Sequence, residues 1–323
     1  MILRIVCLLL LVVALPRDIF AQDTLQDPKP VFIPLLAYWS LNDTFTYKVE
    51  EYKLNYRGDE TLKDSTGQSY MLSLVVADTT DTTYIIRVLN VLDSSSYLQD
   101  LRNISLLDPK LSELVIQLQS INLEYVIDND GAFLEARNLD TVQKAMQSTI
   151  DHIVKVAGED KNKKIFQSFL EKFSSPRATQ IKFFDHLQTL HKFYGMEYAL
   201  DSTWIFQEET EHPLVSGETL VYENELLTTA PEDWNGLIRQ QNTIILEEEG
   251  AKSLMRGIMK GIAPQKTIDE LLEKTPPRIE MYISYVINPE WGVIYAMYYN
   301  KDIYMGGKLA SKQTLIMEYE GEW

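Results

Sequence analysis

The side chains best suited to acid–base catalysis or metal binding are four histidines: His152, His186, His191 and His212. No pair has the spacing of a helical zinc motif, and no His-Glu-x-x-His sequence occurs. His191 falls on or beside the apolar face of a predicted helix, which favours a buried structural histidine over a ligand. His212 follows three glutamates at 208–211, which favours a solvated acidic loop over a cation site. The histidines predict no metal centre, and no cofactor is expected.

Nucleophile and phosphate motifs are also missing from the sequence. It contains no Gly-x-Ser-x-Gly elbow, no glycine-rich phosphate loop and no dinucleotide fingerprint. Asp128 and Asp130 resemble a pair of catalytic carboxylates, but they belong to the turn sequence Asp-Asn-Asp-Gly131, where Asp and Asn favour the turn itself. Catalytic triads assemble from distant residues, so an enzyme is disfavoured but stays open.

Methionines in the predicted helix 248–262 give a first indication of binding. Met255 and Met259 belong to an apolar face beside a ridge of small residues that includes Gly257 and Gly261. Each glycine costs a helix about 1 kcal/mol relative to alanine, so another segment is expected to approach closely. Tight packing on a sheet explains this helix. The alternatives are an adaptable wall of an apolar cavity and contact with a membrane surface.

Tyrosines in the C-terminal strand pair give a second indication. Tyr285 lies in one apolar stripe, Trp291 and Tyr295 continue a similar stripe, and the opposite face is also apolar. A strand pair buried on both faces implies a second packed layer or a sheet that encloses a ligand. Core packing explains the pattern, while tyrosines with polar tips on an apolar wall suit a lipid-like guest. The predicted ligand-binding residues are Met255, Met259, Tyr285, Trp291 and Tyr295.

The elements that must position these residues follow a β-rich, helical, β-rich order. Strands are predicted at 45–56, 69–77, 82–92, 122–127, 132–136, 202–208, 218–227, 237–246, 279–287, 291–299 and 313–320. Helices are predicted at 109–118, 138–157, 160–173, 179–194, 248–262 and 266–273. The predicted fold class is α+β, with a large curved antiparallel sheet packed on a central set of amphipathic helices.

The N-terminal residues are typical of a secretory signal peptide. Arg4 precedes an apolar run at 5–15 that is too short to span a bilayer, and Ala21 is a plausible cleavage position. Residues 1–21 are therefore predicted to be removed, 22–30 to form a flexible leader, and 31–323 to form one α+β unit. Two β-rich halves, 31–157 and 200–323, joined by a helical segment 158–199, are the alternative.

Cysteine content and charge limit the compartment and the partners. The only cysteine, Cys7, lies in the apolar run, so the mature chain would contain no disulfide, as is typical of bacterial periplasmic or secreted proteins. The formal charge of -17 disfavours nucleic acid as a partner. No later segment is long and apolar enough to predict a transmembrane span.

Three features carry a resemblance: Tyr38-Trp39-Ser-Leu-Asn-Asp43, the hairpin at 125–131 and the closing strand pairs. Together with the export signal they resemble exported Bacteroidetes proteins of uncharacterised families. At the level of architecture, the layout is similar to the lipoprotein-carrier (LolA-like) superfamily, whose unclosed barrel holds acyl chains against central helices. This resemblance implies binding of a lipid or apolar small molecule in the cell envelope, and it transfers no binding residue.

These observations predict an exported soluble envelope protein that binds a hydrophobic or lipid-like ligand in a cavity between sheet and helices. The alternative is a non-catalytic interaction or structural protein with a protein partner in the envelope. A hydrolase without a recognisable motif is the third alternative.

Overall fold

An antiparallel sheet of eleven strands dominates the computed structural model. The structure describes residues 31–92, 109–110, 113, 122–156, 176–215, 217–231, 236–260 and 263–321. The predicted signal peptide, the leader, the helix at 160–173 and most of the helix at 109–118 lie outside these residues. The described residues from Ile33 onward belong to one compact unit.

Strands and helices are numbered here in chain order. The strands are β1 (Phe32–Leu35), β2 (Thr44–Tyr56), β3 (Leu62–Thr79), β4 (Thr83–Leu92), β5 (Leu123–Asp128), β6 (Phe133–Ala136), β7 (Met196–Ala199), β8 (Ser202–Glu211), β9 (Thr219–Thr229), β10 (Ile238–Leu246), β11 (Pro277–Asn288), β12 (Val293–Met305) and β13 (Lys308–Tyr319). The described helices are α1 (Leu139–Val156), α2 (Pro176–His191), α3 (Glu248–Met259) and α4 (Gln265–Lys274).

Both halves of the chain contribute strands to the large sheet. Its order is β6-β5-β4-β3-β2-β13-β12-β11-β10-β9-β8, and β1 pairs with β7 in a separate two-stranded sheet. The β2 and β13 strands meet in the middle, with Val49 opposite Met317. An antiparallel α+β fold is therefore confirmed. The curvature of the sheet and a central position of the helices stay predictions.

Helices α2 and α3 pack on the same face of the sheet, which we call the helix face. Alternate residues of a strand share a face, so Ile279, Ile283 and Tyr285 of β11 point the same way. The Tyr285 hydroxyl donates a 2.7 Å hydrogen bond to the carbonyl of Thr189 in α2. Ile279 packs in a buried cluster with Ala251 of α3. The two helices thus contact β11 at points six residues apart.

Helix α4 is attached to α3 by charged side chains. The Lys252 ammonium lies 2.9 Å from Glu248, 3.2 Å from Glu249 and 3.0 Å from Glu273 of α4. Hydrogen bonds to these three carboxylates raise the pKa of Lys252. The Nε of Arg256 adds a 2.9 Å pair with Asp269. Two basic residues of α3 are therefore engaged within the fold.

One end of the helix face is closed by contacts to the carbonyl of Gly292. The indole N–H of Trp39 donates to this oxygen at 3.1 Å, and the Tyr194 hydroxyl donates to it at 2.8 Å. Gly292 has a φ of +61°, and a Cβ there would lie 1.8 Å from the Leu36 carbonyl oxygen. Only glycine therefore fits where these segments converge.

Candidate functional site

The five sequence-predicted binding residues lie in three places. Tyr285 and Tyr295 belong to the main buried core. Met255 and Met259 are partly buried in α3, which contacts the Ile279 end of β11 rather than the Tyr285 end. Trp291, predicted within a strand, lies in the turn before β12, and 55 % of its surface is exposed. The structure unites only the two tyrosines, and contact of any of the five with a ligand stays a prediction.

Both tyrosines have partners within the protein. Besides its bond to Thr189, the Tyr285 ring packs edge-on against Phe193 with ring centroids 5.5 Å apart. The Tyr295 ring stacks on Tyr319 at 5.7 Å, and its hydroxyl accepts a 3.1 Å hydrogen bond from Asn288. Burial raises the pKa of the Tyr285 hydroxyl, so it is a neutral donor. Core packing accounts for these two residues.

A group of polar side chains crosses the helix face from the level of the α2 contact toward the α3 contact. Lys301 of β12 lies opposite Met281 of β11, and Asn242 of β10 lies opposite Ile283. Gln240 of β10 lies opposite Tyr285. Because Met281 and Ile283 fall between Ile279 and Tyr285 on β11, Lys301 and Asn242 lie between the two helix contacts, and Gln240 lies level with the α2 contact. We call Gln240, Asn242 and Lys301 the polar band.

Two amides of the polar band are buried without complete hydrogen bonding. Gln240 and Asn242 are both 0 % exposed. The Asn242 Nδ2 donates a 3.0 Å bond to Asn224. The Oδ1 of Asn242 and both polar atoms of Gln240 have no hydrogen-bond partner among the described residues. An unpaired buried polar atom costs about 1–3 kcal/mol of folding free energy. The polar groups of the described residues therefore leave the hydrogen bonding of these two amides incomplete.

The hydroxyl of Tyr198 is the polar group that Gln240 influences. It donates a 2.6 Å hydrogen bond to the Phe193 carbonyl. Burial raises the pKa of Tyr198, and the nearby Gln240 amide partly offsets this rise without reaching hydrogen-bond geometry. The Tyr198 hydroxyl oxygen is therefore a nearby acceptor for the Gln240 amide, although the two groups do not meet in hydrogen-bond geometry.

Lys301 adds a positive charge to the same face. It is half-buried, and no carboxylate of the described residues lies within 4.0 Å of its ammonium. Loss of hydration lowers the pKa of Lys301, and the more distant charge of Asp185 in α2 opposes this change. Burial raises the pKa of Tyr299 on the same face, and Asp185 adds to the rise. The ammonium is thus partly removed from water, and Asp185 is the charged group that acts on it.

The nearby carboxylate of Glu51 on β2 is occupied by other residues. It accepts a 2.7 Å bond from the Tyr70 hydroxyl and a 2.6 Å bond from Gln68. The Nε2 of His186, next to Asp185 in α2, lies 3.5 Å from the same carboxylate. Glu51 is therefore engaged by its own neighbours, whereas the described residues provide no carboxylate within 4.0 Å of Lys301.

His191 is a buried structural residue, as its place on a helix predicted. Its Nδ1 lies 2.8 Å from the Gly131 carbonyl and its Nε2 lies 2.8 Å from the Tyr125 hydroxyl. A carbonyl only accepts, so Nδ1 carries the proton and Nε2 accepts from Tyr125. Burial lowers the pKa of His191 to about 4, against opposing effects of Gly131 and Asp128. Its two nitrogens are both engaged.

His212 is buried rather than part of a solvated loop, which corrects the expectation from its glutamate neighbours. Its Nδ1 accepts 3.0 Å hydrogen bonds from the backbone N–H groups of Leu214 and Val215. Its ring packs on α3 at Gly257, where a Cβ would lie 3.0 Å from Cε1. The close approach predicted at Gly257 is therefore made by His212 and, at 3.3 Å, by the Cβ of Leu214.

A groove of about 450 Å³ lies on the face opposite the helices. Its lining residues are Thr83, Ile85, Val126, Leu134, Glu135 and Arg137. Ile85 and Val126 are paired across β4 and β5, and their neighbours Ile86 and Tyr125 belong to the core. This groove does not include the predicted binding residues.

No group of three or more His, Cys, Asp or Glu side chains suited to a metal ion occurs in the part of the chain that the structure describes. None of the described helices combines the length and hydropathy needed to cross a bilayer.

Comparisons with known proteins identify no family for this chain. No protein-family model and no curated protein matches it. A solved structure titled "Lipid-protein interactions in lipovitellin" is similar with a TM-score of 0.44 and 9 % sequence identity. The match covers 87 % of this chain and 25 % of the lipovitellin chain, so the chain spans about a quarter of that protein's length. The resemblance to Bacteroidetes proteins receives no support from these comparisons.

Proposed function

We propose that the protein binds a hydrophobic or lipid-like ligand on the helix face, at the polar band between α2 and α3. We also propose that it does so as an exported, soluble envelope protein. The observation that carries the binding proposal is the Gln240 amide, which is fully buried and has no hydrogen-bond partner for either polar atom within the described part of the chain. Unpaired buried amides destabilise a fold, and a polar group of a ligand would satisfy them.

The surroundings of the polar band match the usual composition of a small-molecule site. Ile244 and Ile283 are buried beside Asn242, and Met281 is partly buried opposite Lys301. Binding sites are mostly apolar and contain a few polar groups that orient the ligand. An apolar ligand with one polar end would meet both kinds of side chain here.

Native mass spectrometry of gently purified protein tests this proposal, followed by organic extraction and identification of any retained molecule. We expect either a stoichiometric lipid or, for emptied protein, saturable binding of a fluorescent fatty-acid probe. Failure of the protein to retain or bind any lipid or apolar probe would overturn the proposal.

A variant of Gln240 connects binding to the polar band. Gln240→Met removes the unpaired amide, so we expect it to stabilise the empty protein by about 1–3 kcal/mol and to weaken probe binding. Gln241→Met is the matched control, because Gln241 is the next residue on β10 and contacts Tyr282 on the opposite face. Equal effects of both variants on probe binding would place the site elsewhere.

A role in protein interaction is the second candidate, and β8 is the feature that favours it. This strand lies at the edge of the sheet as the described residues define it. Ile205 in β8 is 81 % exposed, and Trp204 beside it is also exposed. An edge strand with apolar side chains can pair with a strand of another protein.

A further inference from the structure

Lys301 differs from Lys192 and Lys252 because no carboxylate of the described residues lies within 4.0 Å of its ammonium. Lys252 lies close to three carboxylates, and Lys192 lies 2.7 Å from Glu208. Lys301 has no such partner among the described residues, although Asp185 acts on it from a greater distance. Ammonium groups are strongly hydrated, so one that is partly removed from water and has no carboxylate of the described residues close by favours an anion beside it.

The position of Lys301 relates this charge to the apolar wall. On β12 it lies two residues from Tyr299, and across the sheet it faces Met281 on one side and Gln313 on the other. Met281, Ile283 and Ile244 extend from it toward Asn242 and Gln240 of β10, whose amides are incompletely hydrogen-bonded among the described residues. A ligand with an anionic end at Lys301 would therefore lay its apolar part along these side chains.

We infer that Lys301 binds the anionic head group of the ligand, so that the ligand is an acidic amphiphile with a carboxylate or phosphate at one end of an apolar chain. This inference rests on the proposed function, because it assigns the ligand class at the same site. The inference requires a negative charge on the ligand, whereas a carrier of uncharged lipids would not. The anionic head group would accept a charge-assisted hydrogen bond from the Lys301 ammonium.

Two ligands with the same chain length separate the inference from the proposed function. Binding of palmitate and of 1-hexadecanol to the emptied full-length protein is measured by displacement of a fluorescent probe. We expect palmitate to bind at least tenfold more tightly than hexadecanol. Failure of both to bind would overturn the proposed function. Equal binding of both would retain that function and overturn the role of Lys301.

Variants of Lys301 assign the preference to this residue. Lys301→Met should weaken palmitate binding at least tenfold and leave hexadecanol binding within twofold of the unchanged protein. Lys301→Arg keeps the charge and should keep the preference for palmitate. A result from this variant tests the role of the charge even if the methionine variant fails to fold. Lys48→Met is the matched control, because Lys48 lies on the opposite face in an exposed pair with Glu50. Retention of the palmitate preference in folded Lys301→Met would overturn the inference.

Discussion

The Tyr125 hydroxyl donates a 2.8 Å hydrogen bond to Nε2 of His191, joining β5 to the end of α2 inside the core. The same imidazole donates from Nδ1 to Gly131 in the turn after β5. A neutral histidine thus connects a helix, a strand and a turn. Its protonation would place an unpaired charge among the rings of Trp39, Tyr125 and Tyr194.

This bond predicts sensitivity to acid. The pKa of His191 is about 4 in the folded protein, whereas an unfolded histidine has a pKa of about 6.5. Stability from the neutral form is fully present above about pH 6.5 and decreases as the pH falls toward 4, where the loss reaches about 3 kcal/mol. Urea unfolding across this range, compared with His191→Gln, measures the effect. Identical pH dependence of the two proteins would contradict it.

Alanine substitutions at Gly292 and Gly307 distinguish the cost of a steric clash from the cost of backbone strain. Both have a positive φ, but a Cβ at Gly292 would lie 1.8 Å from the Leu36 carbonyl oxygen, while nothing lies within 4 Å of one at Gly307. Gly307→Ala should cost about 1–2 kcal/mol of unfolding free energy, and Gly292→Ala about 3 kcal/mol or more. Thermal unfolding of both variants decides this. Equal losses would mean that the Gly292 turn relaxes freely.

Gly257 should respond unusually to alanine. In an ordinary helix the change would stabilise by about 1 kcal/mol, but here the new methyl group lies 3.0 Å from the His212 ring. Two backbone N–H groups hold that ring in place. We therefore expect a net destabilisation of about 1 kcal/mol, seen in urea unfolding. In a His212→Ala background the same change should stabilise, and an unchanged sign there would show that His212 is not the obstacle.

Ile205 on β8 should affect association rather than stability. Its side chain is largely exposed, so Ile205→Lys should change unfolding free energy by less than about 0.5 kcal/mol. It should reduce concentration-dependent self-association, measured by light scattering, because it removes the exposed apolar side chain that a pairing strand would cover. Thr203→Lys adds the same charge on the same exposed face of β8. An equal reduction by both variants would attribute the effect to net charge alone.

Periodic sequence patterns predicted most of the sheet because one face of each strand is buried. The strand predicted at 237–246 became Ile238–Leu246. β3 begins at Leu62 instead of 69, since its first residues are exposed and carry no apolar alternation while they pair with β2. β1 and β7 contain four residues each, too few for a period to emerge.

The polar band was harder to predict because it depends on which residues of neighbouring strands lie opposite each other. Gln240 and Asn242 occupy the buried positions of a strand that otherwise carries isoleucine and leucine there, and this signal was present in the sequence. Lys301 becomes informative only when the strand order places it beside Met281. Met255 and Met259 do not join Tyr285 because α3 contacts the far end of β11, and a sequence pattern carries no information on which end a helix contacts.

The pairing of β2 with β13 has a consequence for how the chain folds. Contacts such as that between Ser311 and Asn55 join residues 256 positions apart in the middle of the sheet. In the strand order, β13 separates two groups of five strands, β2–β6 and β8–β12. One side of β2 and one side of β12 therefore have no neighbour in the sheet until β13 is in place. Such distant pairing slows folding, so the chain exposes two long open edges until β13 closes the gap between them.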